Sequence, residues 1–394
     1  MLNENPRDGV DYILGGAVAS RASDVHIDQV NDGLHIRFRV DGLLYPISNF
    51  MNNVFFLNDS QTIIQRIKIL AGADISEHRL PQDGDFEYTS ENRSYNIRVS
   101  IVPASHGEAI VLRILNRDDT MFDLGDLGLE QEQLSILKRL IATPHGLLLI
   151  TGPTGSGKTT LFYSILNALN KPIRNIISIE DPIELRMNGI RQLQIRENIG
   201  LTFAKFLRSV VRQDPDVIML GEIRDRETAE MAVQIASIGI MLVSTFHTFD
   251  IPSLIVRLSE MEIPSSIMAQ SISGVISTRL VRKICPDCKA DYQLSDYEKK
   301  FLGDNIMGLA GVSFKKGKGC AKCNQTGYSH RTGINEIVAF DESLRAAIIS
   351  KASSMTLNQL IKELSGKSIR DSAISKIVQG ITTVEEVIRV VGVV

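Results

Sequence analysis

Residues 146–170 read GLLLITGPTGSGKTTLFYSILNALN, and the other motifs of the chain take their meaning from this stretch. The apolar run 147–150 predicts a buried strand, a glycine-rich turn follows it, and a helical pattern begins at Thr160. Within the turn, residues 152–159 match the phosphate-loop pattern G-x-x-x-x-G-K-[ST]. A strand, such a turn and a helix in this order predict a nucleotide-binding α/β domain.

The chemistry of this turn depends on its residue types. Glycines let successive backbone N–H groups curl around phosphate oxygens, and the N-terminus of the following helix adds partial positive charge. Lys158 is expected to reach the β- and γ-phosphates of ATP, and the Thr159 hydroxyl is expected to ligate Mg²⁺. A glycine-rich turn that binds nothing is the alternative, which the strand–turn–helix context disfavours. The expected nucleotide-binding residues of the turn are Gly152, Pro153, Thr154, Gly155, Ser156, Gly157, Lys158, Thr159 and Thr160.

The composition is that of an ordinary soluble globular protein. The chain has 394 residues, which suggests two to three domains, with 43% hydrophobic and 23% charged residues. A formal net charge of -3 gives no global reason to expect nucleic acid as a partner. No apolar run approaches the ~20 residues that span a bilayer, and the N-terminus carries no secretory signal pattern, so we expect a cytoplasmic protein.

Strand-like alternation and an amphipathic helix predict an α/β domain over residues 1–117. Residues 118–128 are acidic and punctuated by glycine, and we expect an interdomain linker there. The strand patterns contain four arginines, Arg37, Arg39, Arg98 and Arg113. They either have a functional role or simply lie on a polar face of the sheet.

Acidic residues follow two of the strands predicted after the phosphate loop. Glu180, Asp181 and Glu184 end the strand in NIISIEDPIEL. Glu222 follows the buried run 217–220, a Walker-B-like arrangement in which the acid can hold Mg²⁺ through water or activate the attacking water. Because ligands bind at the carboxyl ends of strands in open α/β sheets, we expect these acids to face the nucleotide. An ordinary acidic strand end is the alternative for each motif taken alone.

A histidine follows the next predicted strand, which covers residues 241–244. His247 lies in the sequence STFHT, after a strand whose neighbours carry the phosphate loop and the acids. We interpret it as a sensor of the γ-phosphate. A structural histidine is the alternative.

The four cysteines form two C-x-x-C pairs. Cys285 pairs with Cys288, and Cys320 pairs with Cys323. Each pair can offer two thiolates to one metal, so together they predict a tetrahedral four-cysteine zinc site. Four thiolates leave no open coordination position, so this metal is expected to be structural. A redox dithiol is the alternative.

Longer motifs occur in a fixed order along the chain. They are SDVHI, RFRVDG, RLPQDG, RVSIVP, the phosphate loop, EDPIE, GLTFAKFLRSVVRQDPD, DPDVIMLGEIRD, STFHT, the paired C-x-x-C and GITTVEEVIRVV. With these motifs the chain resembles the type II secretion and type IV pilus assembly ATPases from about Ser23 onward. The resemblance implies a PAS-like α/β domain over residues 1–117 and a RecA-like ATPase domain over residues 129–340. It places a four-cysteine zinc module at about 283–325 and a helical C-terminal subdomain over residues 341–394.

The resemblance also implies roles residue by residue. Catalytic roles fall on Lys158 of Walker A, on Glu184 as the general base of the Asp box, on Glu222 of Walker B and on His247 of the His box. Further nucleotide-binding roles fall on Glu180, Asp181, Arg98 and Arg113, with Arg37 as an additional N-domain candidate. These N-domain arginines are implied to close over the phosphates of ATP bound between the two domains.

The implied function is that of a hexameric ATPase which powers assembly of a type IV pilus or a type II secretion pseudopilus. It would act through an inner-membrane platform protein at the cytoplasmic face of the bacterial inner membrane, using ATP, Mg²⁺ and Zn²⁺, without nucleic acid. A nucleic-acid translocase on the same core, a pilus retraction ATPase and a nucleotide-gated scaffold with little turnover are alternatives. Retraction ATPases resemble the core but generally lack the cysteine module, so the cysteines favour assembly or secretion.

Two features depart from the family pattern. Many members carry a further N-terminal domain that docks on an inner-membrane partner, whereas the PAS-like domain here starts almost at the first residue. A short-form member, a truncated chain and a different docking mode are the alternatives. A second histidine that is common in the family is replaced here by Ile240.

Overall fold

The computed structural model describes residues 6–31, 33–51, 60–116, 123–303 and 311–392. The described residues form two compact units: one holds the residues up to 116 together with 318–330, and the other holds the remainder. Of the predicted linker, residues 118–122 lie outside the described residues, and the rest contains a short 3-10 turn, Leu124–Leu127. Both units combine helices with a β-sheet, so the predicted mixed α/β fold class is confirmed.

The first unit is built on an antiparallel sheet with two helices on one face. Its elements are α1 (Pro6–Ala19), β1 (Ala22–Val30), β2 (Gly33–Val40), β3 (Leu43–Pro46), α2 (Ser60–Ala71), β4 (Gln82–Ser90), β5 (Arg93–Ala104) and β6 (Gly107–Asn116). The strand order is β3-β2-β1-β6-β5-β4. Successive strand residues alternate between the two faces, so Ile97 and Val99 of β5 are buried against the helices while Arg98 lies on the polar face.

The second unit contains a larger sheet and a two-stranded ribbon. Its strands are β7 (Gly146–Thr151), β8 (Ile176–Glu180), β9 (Arg191–Gln194), β10 (Val217–Glu222), β11 (Met241–Phe246), β12 (Ile272–Ile284), β13 (Lys289–Asp291), β14 (Lys315–Gly317) and β15 (Tyr328–Ala339). The larger sheet has the order β15-β12-β7-β11-β10-β8-β9, and β13 pairs with β14. Every neighbouring pair from β12 to β9 is parallel, so the carboxyl ends of these strands meet at one edge.

Helices cover both faces of the larger sheet. They are α3 (Gln131–Ala142), α4 (Lys158–Leu169), α5 (Phe203–Val210), α6 (Arg226–Ser237), α7 (Ile251–Glu260), α8 (Ser265–Ser271), α9 (Asp296–Leu302), α10 (Glu342–Ile349), α11 (Ser354–Ser365), α12 (Ile369–Val378) and α13 (Val384–Val391). Leu147 and Leu149 of β7 pack into the core beneath α5 to α8, whereas Leu148 and Ile150 pack against α3 and α4. Burial on both faces explains why this strand reads as a continuous apolar run.

Of the helices in the described part of the chain, none combines the length and the apolar character needed to cross a membrane.

Candidate active site

The phosphate loop lies at the carboxyl end of β7, where the sequence predicts it. Gly152 and Gly157 have φ values of 156° and 93°, which side chains with a Cβ rarely adopt. A Cβ on Gly152 would lie 2.4 Å from Ser156 Oγ and 2.6 Å from Thr278 O, so only glycine fits at this position. The Ser156 hydroxyl is buried and has no hydrogen-bond partner within the described part of the chain. These features fit a backbone cradle that an anion can complete.

Lys158, the first residue of α4, points back onto the loop. Its Nζ donates to Gly152 O at 2.7 Å and to Pro153 O at 2.9 Å, and it lies 3.4 Å from His247 Nδ1. All three ammonium donors therefore have a protein partner. Burial lowers the pKa of Lys158 to about 8, the nearby Glu222 carboxylate raises it, and Arg279 lowers it further.

His247 connects this lysine to the acid at the end of β10. Its Nε2 lies 3.3 Å from Glu222 Oε2, and its Nδ1 faces the Lys158 ammonium. Burial lowers the pKa of His247, and the Lys158 charge lowers it further, so the ring is neutral at neutral pH. Because an ammonium can only donate, Nδ1 must be the acceptor, and the ring proton resides on Nε2 and points to Glu222.

Arg224 extends the chain of contacts to the turn after β8. Its guanidinium pairs with Glu222 Oε1 on one side and donates to Asp181 Oδ2 at 3.1 Å on the other. A chain of contacts thus runs along one edge of the sheet and links Lys158, His247, Glu222, Arg224 and Asp181 in this order. The predicted groups from four strand ends are brought together by the parallel order of β7, β11, β10 and β8.

Glu180 lies below this edge, in a buried network. Its carboxylate accepts hydrogen bonds from the Tyr163 hydroxyl, from Ser178 Oγ at 2.5 Å and from Gln192 Nε2 at 3.1 Å. The same Tyr163 oxygen accepts from the backbone N of Glu184 at 3.0 Å. Burial and the adjacent Glu180 carboxylate raise the pKa of Tyr163 above its ordinary value. Glu180 therefore supports the turn through Tyr163, and Asp181 and Glu184 are the carboxylates that this turn exposes.

The remaining predicted residues of the loop face outward. Thr154, Gly155, Thr159 and Thr160 are exposed, as a ligand-facing surface requires. Sequence reasoning missed Arg224 and Tyr163, although both lie inside motifs that it singled out. Arg224 belongs to DPDVIMLGEIRD, and a charged residue two positions after a predicted catalytic acid was the available signal.

The predicted N-domain arginines lie on the polar face of the first unit's sheet. Arg113 of β6 is directly opposite Arg98 of β5 and Asp24 of β1, and its Nε donates to Asp24 Oδ1 at 3.0 Å. Asp24 in turn is opposite Arg39, and Arg98 is opposite Asp85. Three arginines and two aspartates thus form one cross-strand row.

Arg37 occupies the neighbouring row on the same face. It donates to Asp28 Oδ2 at 2.8 Å and lies opposite His26. Burial lowers the pKa of His26, and the positive charge of Arg39 lowers it further. Burial and the neighbouring charge thus favour the neutral form of His26.

The four cysteines come together as predicted. The Sγ atoms of Cys285, Cys288, Cys320 and Cys323 all lie within 4.8 Å of one another, and none forms a disulfide. The Sγ atoms of Cys320 and Cys323 are 3.6 Å apart, close to the edge of about 3.8 Å in a tetrahedron with metal–sulfur bonds of about 2.3 Å. Backbone N–H groups of Cys320 and Gly327 point at Cys323 Sγ from 3.2 Å and 3.3 Å, which favours a thiolate. The cluster can hold a metal ion.

The sequence matches the family described as "Type II/IV secretion system protein" over residues 7–389, which confirms the predicted family. A relative from Pseudomonas aeruginosa named type II secretion system protein E is 42% identical over 381 residues, covering 97% of this chain and 74% of the relative. The type IV pilus assembly ATPase PilB of Myxococcus xanthus is 39% identical over 96% of this chain and 66% of the relative.

A solved structure shares the fold. The ATPase DotB of Legionella pneumophila superimposes with a TM-score of 0.68, covering 95% of this chain and 93% of that chain. Its sequence identity is 22%, so this similarity is evidence for the fold alone.

Proposed function

Because this chain belongs to the type II/IV secretion system protein family, we propose that it is an ATP hydrolase that powers assembly of a type IV pilus or a type II secretion pseudopilus. One observation carries the proposal: Lys158 of the phosphate loop, Glu222 and His247 are in contact at the carboxyl edge of the sheet.

Each residue at this edge has a distinct role. Lys158 leaves the two loop carbonyls and binds the β- and γ-phosphates, and the exposed Thr159 hydroxyl would hold Mg²⁺. When bound, the ion would supply positive charge that offsets the negative charge developing on the phosphate oxygens. Glu222, held by His247 and Arg224, orients water at this metal position, while the exposed Glu184 takes the proton of the attacking water.

The cross-strand row of the first unit supplies further positive charge. Like charges directly opposite one another are unfavourable, so the adjacent Arg98 and Arg113 form a position that an anion would stabilise. Asp24 binds Arg113 through Nε and leaves its two terminal nitrogens available for a second carboxylate-like or phosphate-like group. We therefore assign Arg98 and Arg113 to binding of nucleotide phosphates.

The assembly and partners are proposed from the family. The enzyme would form a homohexamer, act on an inner-membrane platform protein from the cytoplasmic side, and need no nucleic acid. The domain assignment follows the same reasoning, with a PAS-like domain over residues 1–117, a linker over 118–128, a RecA-like domain over 129–340 and a helical subdomain over 341–394. The four cysteines would hold one structural zinc ion.

Steady-state phosphate release from Mg·ATP tests the proposed reaction. We expect turnover by the wild-type protein that double-stranded or single-stranded DNA leaves unchanged. If DNA instead stimulates ATP hydrolysis, and this stimulation falls as the salt concentration rises, the protein is a nucleic-acid motor. An absence of turnover, with ADP still bound, would identify a nucleotide-gated scaffold.

The two carboxylates predict a division of labour. Replacing Glu184 with glutamine is expected to lower kcat about 10²- to 10⁴-fold while ATP affinity is retained, because the amide cannot accept a proton. Replacing exposed Glu197, on a 3-10 turn of the same unit, with glutamine is the matched control and should leave kcat unchanged. Phosphate release and equilibrium binding of a non-hydrolysable ATP analogue measure both quantities. Wild-type turnover in the Glu184→Gln variant would remove the assignment of this residue as the base.

The lowered pKa of Lys158 predicts a pH dependence of nucleotide binding. Phosphates bind the charged lysine, whose pKa is about 8 in the free protein and rises when phosphate is bound. Between pH 7 and pH 9, which lie above the phosphate pKa of about 6, ADP affinity should therefore weaken about tenfold. Calorimetry at pH 8 in two buffers of different ionisation enthalpy should detect uptake of about half a proton. Equal affinities at pH 7 and pH 9 would contradict the assignment of Lys158 as the phosphate ligand.

A further inference from the structure

The segment 247–250, which joins β11 to α7, is attached to the neighbouring strand β7 through two threonines. Thr151 is the last residue of β7 and is fully buried. Its hydroxyl donates to Thr248 O at 2.8 Å, and the two hydroxyl oxygens lie 2.6 Å apart. Because the single hydroxyl proton of Thr151 is already used, the Thr248 hydroxyl is the donor in the second bond. Two hydrogen bonds therefore join Thr248 to the residue that immediately precedes Gly152.

Arg279 holds the same segment from β12. Its guanidinium donates to Phe249 O and, at 3.0 Å, to Thr278 O, and its central carbon lies 5.8 Å from the centre of the Phe249 ring. β12 borders β7 on the side away from β11. The segment therefore crosses the carboxyl end of β7, directly beside the start of the phosphate loop, and is fastened on both sides of it.

This arrangement matters for His247 because packing does not fix that side chain. The imidazole is 51% exposed, yet both of its nitrogens have specific partners, Lys158 Nζ at 3.4 Å and Glu222 Oε2 at 3.3 Å. An exposed ring keeps such contacts only if its backbone is held in place. The two attachments of the next two residues provide that restraint.

We propose that Thr248 and Arg279 are positioning residues for ATP hydrolysis, which hold His247 at the phosphate loop through the Thr151–Thr248 hydroxyl pair and the Phe249 carbonyl. The inference rests on the proposed function. The two residues do not touch the nucleotide in this role; they act through His247. Their loss should therefore slow the chemical step more than it weakens nucleotide binding.

The test compares Thr248→Val, which removes the hydroxyl and keeps the shape, with Thr248→Ser, which keeps the hydroxyl. We expect kcat to fall about 10- to 100-fold in Thr248→Val and in Arg279→Gln, with KM for ATP and Kd for ADP within about twofold of wild type. Thr248→Ser should restore most of the activity. A general loss of stability would not respond to the hydroxyl alone.

Two controls in the same unit match these changes away from the loop. Thr143→Val removes a hydroxyl that donates to Leu140 O at 2.6 Å, and Arg257→Gln removes an exposed arginine that pairs with Glu260. Thr143 lies after α3, before the other end of β7, so both variants should keep the wild-type kcat. Their melting temperatures give the stability cost of each kind of substitution.

The possible outcomes separate the inference from the proposed function. A wild-type protein without ATP turnover would overturn both. An active wild-type protein with unchanged kcat in Thr248→Val, or with equal losses in Thr248→Val and Thr248→Ser, would overturn the positioning role alone. If Thr248→Val does not fold, Arg279→Gln decides, and a wild-type kcat in that variant would overturn the inference.

Discussion

Replacing Lys158 with alanine is expected to reduce kcat for ATP hydrolysis by about 10²- to 10³-fold or more, because it removes a preorganised charge from the developing phosphate charge. The ammonium donates to two carbonyls of the loop and lies 3.4 Å from His247 Nδ1, and alanine provides no donor. Phosphate release under saturating Mg·ATP measures the loss. Replacing Lys171, an exposed lysine that follows α4, with alanine is the matched control and should leave turnover unchanged.

The loss of activity should not come from unfolding. Burial disfavours the charged form of Lys158, as its pKa of about 8 indicates, and this cost offsets part of the stability that its hydrogen bonds to Gly152 O and Pro153 O contribute. The melting temperature of Lys158→Ala should therefore lie close to that of the wild type. Wild-type turnover in this variant would end the assignment of the protein as a phosphate-loop ATP hydrolase.

Removing the metal proposed for the four cysteines is expected to have the largest effect on stability. The four thiols form no disulfide, so without a metal nothing covalent joins the two C-x-x-C pairs. Structural zinc contributes several kcal/mol or more to folding, which for a protein of this size corresponds to a fall in melting temperature of about 5–10 °C. Thermal unfolding with and without a strong chelator measures the change.

Two further results are needed for the zinc assignment. Elemental analysis of protein purified without chelator should give one zinc per chain, and a value well below one would refute the site. A variant in which serine replaces Cys285, Cys288, Cys320 and Cys323 should melt at the lower temperature with or without chelator. If the chelator leaves the melting temperature of the wild type unchanged, the stability of the protein does not depend on a metal at the cysteines.

The sequence was most informative where local pattern and chain order suffice. The apolar runs 147–150 and 217–220 predicted strands that the structure extends to β7 and β10 by one or two residues. Once the strands are parallel, the residues after them must share one edge, so the meeting of Lys158, Glu222 and His247 followed from order alone. The cysteines were equally predictable, because ligand spacing is a local property.

Contacts between distant residues were not predictable in this way. Glu386 is the third residue of α13, and its backbone N donates locally to the Thr383 hydroxyl at 3.1 Å. The structure shows that its buried carboxylate also binds Arg282, 104 residues earlier, and Arg389. The bond between Thr151 and Thr248 spans 97 residues in the same way. A polar residue at such a position is visible in the sequence, but its partner is chosen by tertiary packing.

The hydrogen bonds that Lys158 makes within the protein affect which anions the phosphate loop can bind. Any anion that takes this lysine must replace hydrogen bonds with Gly152, Pro153 and His247, so its binding free energy is a difference between two sets of bonds. A nucleotide brings several phosphates to the loop N–H groups, whereas orthophosphate brings one. We therefore expect released orthophosphate to be a weak inhibitor, because it must displace Lys158 from its protein partners while engaging few of the loop N–H groups. ATP and ADP bring more phosphates to the loop and still displace the lysine.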